Sequence, residues 1–238
     1  MTLKNARILV IGGTSGIGLG IATAVAERGA IPIVASRRQS SVDQALSQLP
    51  DGARGVVIDV GDAQALDRLA DDIGPIEHLA YTAGEPLLLG KLADLDPAAI
   101  TEFFATRFVG ALNAVRVFAP RITEGGSVTL TTGTAAHQPA FGVLPVSICG
   151  AMNAATTALA VELAPIRVNA VAPGVVRTPL WDSLDERIRQ SMFDDAAQRL
   201  PLGRIGEVED AALAYVYCME QSFGTGVVVT VDGGTLLV

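Results

Sequence analysis

The stretch Ile8-Leu9-Val10-Ile11-Gly12-Gly13-Thr14-Ser15-Gly16-Ile17-Gly18 decides the fold, because an apolar run breaks there into a glycine-rich turn. Four consecutive apolar residues read as a buried strand, and the stretch from Ile17 to Arg28 reads as the helix that follows. Glycines at 12, 16 and 18 permit a tight turn and a close approach of backbone to ligand. The helix start points its free amides and positive dipole end at the same turn. Together they form an anion cradle. Placed between a strand and a helix near the start of an alternating chain, such a turn is the mark of a dinucleotide phosphate site.

Working outward, short apolar runs recur at Ile31 to Ala35, Gly55 to Ile58, His78 to Tyr81, Ser127 to Leu130, Arg167 to Val171 and Val227 to Val231, bounded by Gly, Pro, Asp or Ser. These read as further buried strands. Helical stretches alternate with them near Ala63 to Asp72, Pro97 to Arg121, Ala151 to Leu163 and Val208 to Met219. Asp96 is placed to cap the second of these, Pro97 to begin it and Pro120 to help stop it. Strict alternation implies a single α/β domain over residues 1–238, a Rossmann-type doubly wound parallel sheet with helices on both faces. The segment from Thr178 to Leu202 breaks the rhythm with Trp181, Phe193 and mixed charges. It reads equally as a mobile cover over a pocket or as a surface helical excursion.

With 238 residues, half of them hydrophobic and 18% charged, the chain can bury a large core. A net charge of −8 opposes binding to nucleic acid or to an anionic membrane, so a small-molecule substrate or ligand is the expected partner. No apolar run approaches the roughly 20 residues needed to span a bilayer, and Met1 to Arg7 carries no signal-peptide core, which together imply the cytoplasm. Cys149 and Cys218 form neither a metal-type spacing nor a disulfide framework, so no metal is expected. The second strand ends at Ser36-Arg37-Arg38. Arginine here favours a 2′-phosphate and therefore NADP(H), with NAD(H) as the alternative; the bland reading is two solvated loop arginines.

At this point the sequence resembles the classical short-chain dehydrogenase/reductase (SDR) family along nearly its whole length. The glycine turn is similar to the family's Thr-Gly-x-x-x-Gly-x-Gly, with Gly12 in place of threonine. Asp59-Val60 resembles the adenine-contacting pair, and Thr82-Ala83-Gly84 resembles Asn-Ala-Gly with threonine for asparagine. Arg167-Val168-Asn169-Ala170-Val171-Ala172-Pro173-Gly174, Leu202-Gly203-Arg204 and Val231-Asp232-Gly233-Gly234 follow the family pattern closely. The resemblance implies a cofactor site of Gly12, Thr14, Ser15, Gly16, Ile17, Gly18, Ser36, Arg37, Arg38, Asp59, Val60, Ala83, Gly84, Pro173, Gly174, Val176 and Thr178. It also implies a homodimer or homotetramer built on the helices near Pro97 to Arg121 and Ala151 to Leu163, with the C-terminal strand in a second contact.

The family's catalytic Asn, Ser, Tyr and Lys do not carry over. Counting back from Glu162, Tyr falls on Pro145 and Lys on Cys149; Ser falls on Thr132 and the helix-borne Asn on Arg107. The only tyrosines are Tyr81, Tyr215 and Tyr217 and the only lysines Lys4 and Lys91, so no shift of register restores the pair. Proline has no proton to give to the oxygen of a reduced carbonyl, and general acid catalysis of that kind is worth roughly 100- to 10,000-fold. The substitutes are Thr132, as a hydrogen-bond donor or as a locally satisfied strand-end hydroxyl; His137, as a proton shuttle or a solvated loop residue; and Arg107, as an oxyanion or anion holder or a partner of some carboxylate. Cys149 as a thiolate nucleophile stands against Cys149 as packing. Three functional classes stay open: a reductase of a small carbonyl or enone with an atypical proton relay, a nucleotide-binding relative without turnover, and a non-redox enzyme.

Overall fold

The computed structural model describes residues 2–84, 87, 88 and 90–238. The strands are β1 (Arg7–Ile11), β2 (Ile31–Ser36), β3 (Arg54–Val57), β4 (Ile76–Tyr81), β5 (Ile122–Thr131), β6 (Arg167–Pro173) and β7 (Val228–Val231). They form one seven-stranded sheet in the order β3-β2-β1-β4-β5-β6-β7, parallel throughout. Chain order reverses between β1 and β4, where the carboxyl ends of the strands open the crevice in which doubly wound sheets bind ligands.

Helices α1 (Gly16–Ala26) and α8 (Val208–Glu220) cover one face. Helices α3 (Ala63–Ile73), α5 (Gly110–Phe118) and α6 (Val143–Glu162) cover the other. Both faces are therefore dry. Ile8 and Val10 of β1 pack toward the α1 and α8 side, and Leu9 and Ile11 toward the opposite core. Each such side chain, fully buried, contributes about 1.5–3 kcal/mol.

Sequence and structure differ at several elements. The helix expected over Pro97 to Arg121 is α4 (Pro97–Phe104), a π-helical turn (Ala105–Val109), then α5 and a 3₁₀ turn (Ala119–Arg121). Asp96 does cap it, accepting from the Ala98 amide at 2.9 Å. The helix expected from Ala151 begins at Val143, so Pro145 stands in its first turn, where proline forfeits no helical bond. α2 (Gln39–Leu46), short and largely polar, carries too little apolar periodicity to be foreseen. The rhythm-breaking segment contains α7 (Glu186–Arg199), started by the Asp185 carboxylate on the Arg187 amide and seated on its own cluster of Trp181, Phe193, Leu200 and Ile205. α6 corrects the expectation that no apolar run approaches bilayer length: by length and composition it is long and apolar enough to cross a membrane, and here Met152 and Ala160 join it to the core beneath the sheet.

Candidate active site

The glycine turn is closed by its own backbone. Gly12 has φ +85° and Gly16 φ +48°, both in the region open to glycine. A Cβ on Gly18 would lie 2.1 Å from the Gly12 carbonyl oxygen, and one on Gly12 would lie 2.6 Å from the Ala83 nitrogen. Any larger residue would fill the cradle. Thr82 bonds the Ile11 carbonyl through both its amide (2.8 Å) and its hydroxyl (3.1 Å), which ties the ends of β1 and β4 together. Ser15 is the N-cap of α1 and makes no capping bond, so the first-turn amides of the helix have no side-chain cap, with Thr14, Ile17 and Gly18 beside them.

The other residues of the expected cofactor site gather along the same edge. Ser36 closes β2 and receives the Ile58 amide at 2.9 Å, which sets exposed Asp59 and buried Val60 beside exposed Arg37 and Arg38. Ala83 and Gly84 follow β4, and Pro173 ends β6. Gly174 lies so close to Asp232 that a Cβ would be 2.9 Å from it. Val176 bridges to Gly206, and Thr178 crosses over the glycine turn with its Cβ 3.4 Å from the place of a Gly16 Cβ. A cradle that only glycine fits, fronted by an uncommitted helix start, suits a pyrophosphate.

Beside Gly84 lies the second half of the site. A Cβ on Gly84 would sit 2.7 Å from Cζ and Nη1 of Arg107, so the guanidinium rests against this glycine. The same guanidinium stacks over Phe103, 5.2 Å from the ring centroid. Phe103 is buried with Leu144 and Ile148 in an apolar wall that also touches Cys149. Burial pushes the Cys149 thiol up, and a bond from Thr132 and the charge of Arg107 act in the opposite sense. The thiol is thus neutral near pH 7 and a poor nucleophile.

Thr132 lies 3.0 Å from the Cys149 carbonyl and 2.7 Å from Asn153 Oδ1. Its single hydroxyl proton is therefore held within the protein. Asn153 went unnoticed in the sequence, although it stands four residues after Cys149 and so on the same helix face. His137 ends a 3₁₀ turn (Thr134–His137) and is exposed. The structure thus brings Arg107, Thr132 and Cys149 together and leaves His137 at the surface. Outside this group, Gly90, Lys91, Leu92, Ala140, Phe141, Gly142 and Val143 line a cavity of about 670 Å³, mainly apolar with one cation.

Comparison with known proteins agrees with the fold. A family model described as an SDR-like Rossmann domain matches residues 1–238. The short-chain dehydrogenase/reductase ATR9 of Stachybotrys chlorohalonatus is 34% identical, over 99% of this chain and 99% of its own. A small-chain dehydrogenase solved in complex with NADPH is 33% identical at a TM-score of 0.88, covering 99% of this chain and 100% of the other. The MalC reductase/Diels-Alderase of Malbranchea aurantiaca is 32% identical at a TM-score of 0.90, covering 100% and 98%. With the parallel sheet, the glycine cradle and the family model all spanning one chain, the protein belongs to the short-chain dehydrogenase/reductase family.

Proposed function

We propose that the protein is an NADP(H)-dependent reductase of a small carbonyl or enone compound, in which Arg107 takes over the stabilisation of negative charge that the family's tyrosine and lysine otherwise serve. The observation that carries this reading is the guanidinium packed against Gly84 and backed by Phe103, whose apolar wall also touches Cys149. A charge-assisted donor on an apolar wall stabilises a developing oxyanion far better than it would in water.

In this reading Gly12, Thr14, Ser15, Gly16, Ile17 and Gly18 hold the pyrophosphate, and Arg37 and Arg38 with Ser36 hold the 2′-phosphate. Asp59 and Val60 flank the adenine, while Ala83, Gly84, Pro173, Gly174, Val176 and Thr178 border the nicotinamide half. When bound, the reduced cofactor supplies hydride. Arg107 orients the substrate oxygen and holds its charge. Thr132 ties the end of β5 to the middle of α6 through the Cys149 carbonyl and Asn153. The proton comes from water, which suffices for an enolate and serves a simple alkoxide poorly, so an enone fits this site better than a ketone. Similarity to a relative solved with NADPH supports the phosphorylated cofactor.

The test is loss of reduced-nicotinamide absorbance across a carbonyl and enone panel, with Arg107→Ala expected to lose roughly 100- to 1,000-fold in kcat. Silence across the panel with NADPH demonstrably bound would instead mark a nucleotide-binding relative without turnover. A second reading draws on Pro145 and on the likeness to a reductase/Diels-Alderase. A cycloaddition transfers no proton, so a shaped, charged pocket serves it without an acid; product formation with no change in cofactor redox state would identify it.

We also propose a homo-oligomer. α6 leaves Val161 81% exposed, and Phe223, Leu237 and Val238 stand exposed near the β7 edge, surfaces suited to pairing with a second copy. Sedimentation giving a monomer mass at micromolar concentration would contradict it.

A further inference from the structure

We propose that Tyr81 is a positioning residue, whose phenol pins the π-helical turn that aims Arg107 at Gly84. This rests on the reading that Arg107 acts in the site, and it concerns how a helix residue comes to face the crevice at all.

A π-helical turn holds one residue more than the α-helical ladder accommodates, widens the helix and re-aims the side chains it carries. Here it spans Ala105–Val109, with the Gly110 amide bonded back to the Ala105 carbonyl five residues earlier. Arg107 stands at its centre. The turn is secured from outside the helix: Tyr81, at the end of β4 and 1% exposed, donates from its hydroxyl to the Thr106 carbonyl at 2.5 Å. The residue next to Arg107 is thereby anchored to the sheet. Gly110 makes room for this anchor, since a Cβ there would lie 2.7 Å from the Tyr81 oxygen. The strand bearing Tyr81 runs directly into Ala83 and Gly84, the surface the guanidinium meets. One short segment therefore both fixes the turn and supplies the wall.

The rival account is that Tyr81 merely fills space beneath α5. Its predictions differ, because a filler affects stability and leaves the place of a charge beside another group unaltered. Cys149 provides the reporter, being half-buried and within the field of Arg107. The experiment follows the pH dependence of Cys149 alkylation by iodoacetamide in a Cys218→Ser background. Arg107→Ala is expected to slow alkylation at neutral pH by about tenfold, as loss of a nearby opposite charge disfavours the thiolate. Tyr81→Phe, which keeps the ring, is expected to slow it by about threefold. In the Arg107→Ala background the same change is expected to add nothing, since coupled groups are not additive. Gly110→Ala, which crowds the phenol from the helix side, provides a second route should Tyr81→Phe fold poorly, with the same direction expected.

Unchanged alkylation in both Tyr81→Phe and Gly110→Ala, with Arg107→Ala shifted, would overturn the proposal. So would Tyr81→Phe acting in full without Arg107. NADPH binding is read separately by calorimetry, so failure of the functional reading leaves this titration interpretable.

Discussion

Falling pH should destabilise this protein through one buried imidazole, that of His78. His78 is buried in β4 within a row that crosses the sheet by register, Ile8, His78, Ser127 and Arg167. Its Nδ1 lies 2.9 Å from Ser127 Oγ, while Arg167 is occupied in bonding the Cys218 and Met219 carbonyls at the end of α8. Burial, with the Arg167 charge second, lowers the imidazole from 6.5 to about 4. The unfolded chain then binds a proton near 6.5 that the folded chain refuses until about 4. Stability contributed by neutral His78 is present above pH 6.5 and is lost as pH falls through this window. The gap is worth about 3 kcal/mol in full and about 2 kcal/mol by pH 5. Asp210, held at about 2 by Arg204 and the Glu207 amide, titrates below the window. Urea unfolding at pH 7.5 and pH 5.0 checks this, with His78→Asn as the control whose pH slope should flatten even though its stability is lower throughout. A wild-type loss under about 1 kcal/mol, or an equal loss in His78→Asn, would refute the reasoning.

Other expectations follow from the crevice. Gly18→Ala would set a methyl 2.1 Å from the Gly12 carbonyl oxygen, so it should cost about 1–3 kcal/mol in thermal or urea unfolding and abolish stabilisation by NADPH. Arg37→Asp should exchange NADP for NAD preference in equilibrium binding; unchanged relative affinities would show that Arg37 does not read the 2′-phosphate. Pro145→Tyr with Cys149→Lys should raise carbonyl reduction by roughly 100-fold or more, because the remaining pocket is then furnished with an acid and a fixed cation. Arg107→Lys should retain part of the Arg107→Ala loss in kcat while leaving NADPH affinity unchanged, as an ammonium keeps the charge and loses the planar fork.

Much of this was legible because it rests on local signals. The glycines at 12, 16 and 18 mark their turn by residue type, and the apolar runs from Ile8 to Val231 mark strands that a parallel sheet buries on both sides. The empty places at Pro145 and Cys149 were found by counting along α6. What escaped depends on contacts between distant segments. The π-helical turn at Ala105–Val109 follows from a phenol 25 residues away, and no periodicity announces it. Asn153 gains meaning only when Thr132 is brought to it from β5. α7 is held by a small cluster of its own rather than by a continuous apolar stripe, so its helical character was masked by mixed charge.

We propose that the glycine cradle and the arginines after β2 still hold a phosphorylated nicotinamide cofactor although the usual acid is gone. Isothermal titration of the wild-type chain with NADPH and, separately, NADH tests it most directly. Saturable heat with both, and tighter binding of NADPH, is the result expected; no saturable heat with either would contradict the account.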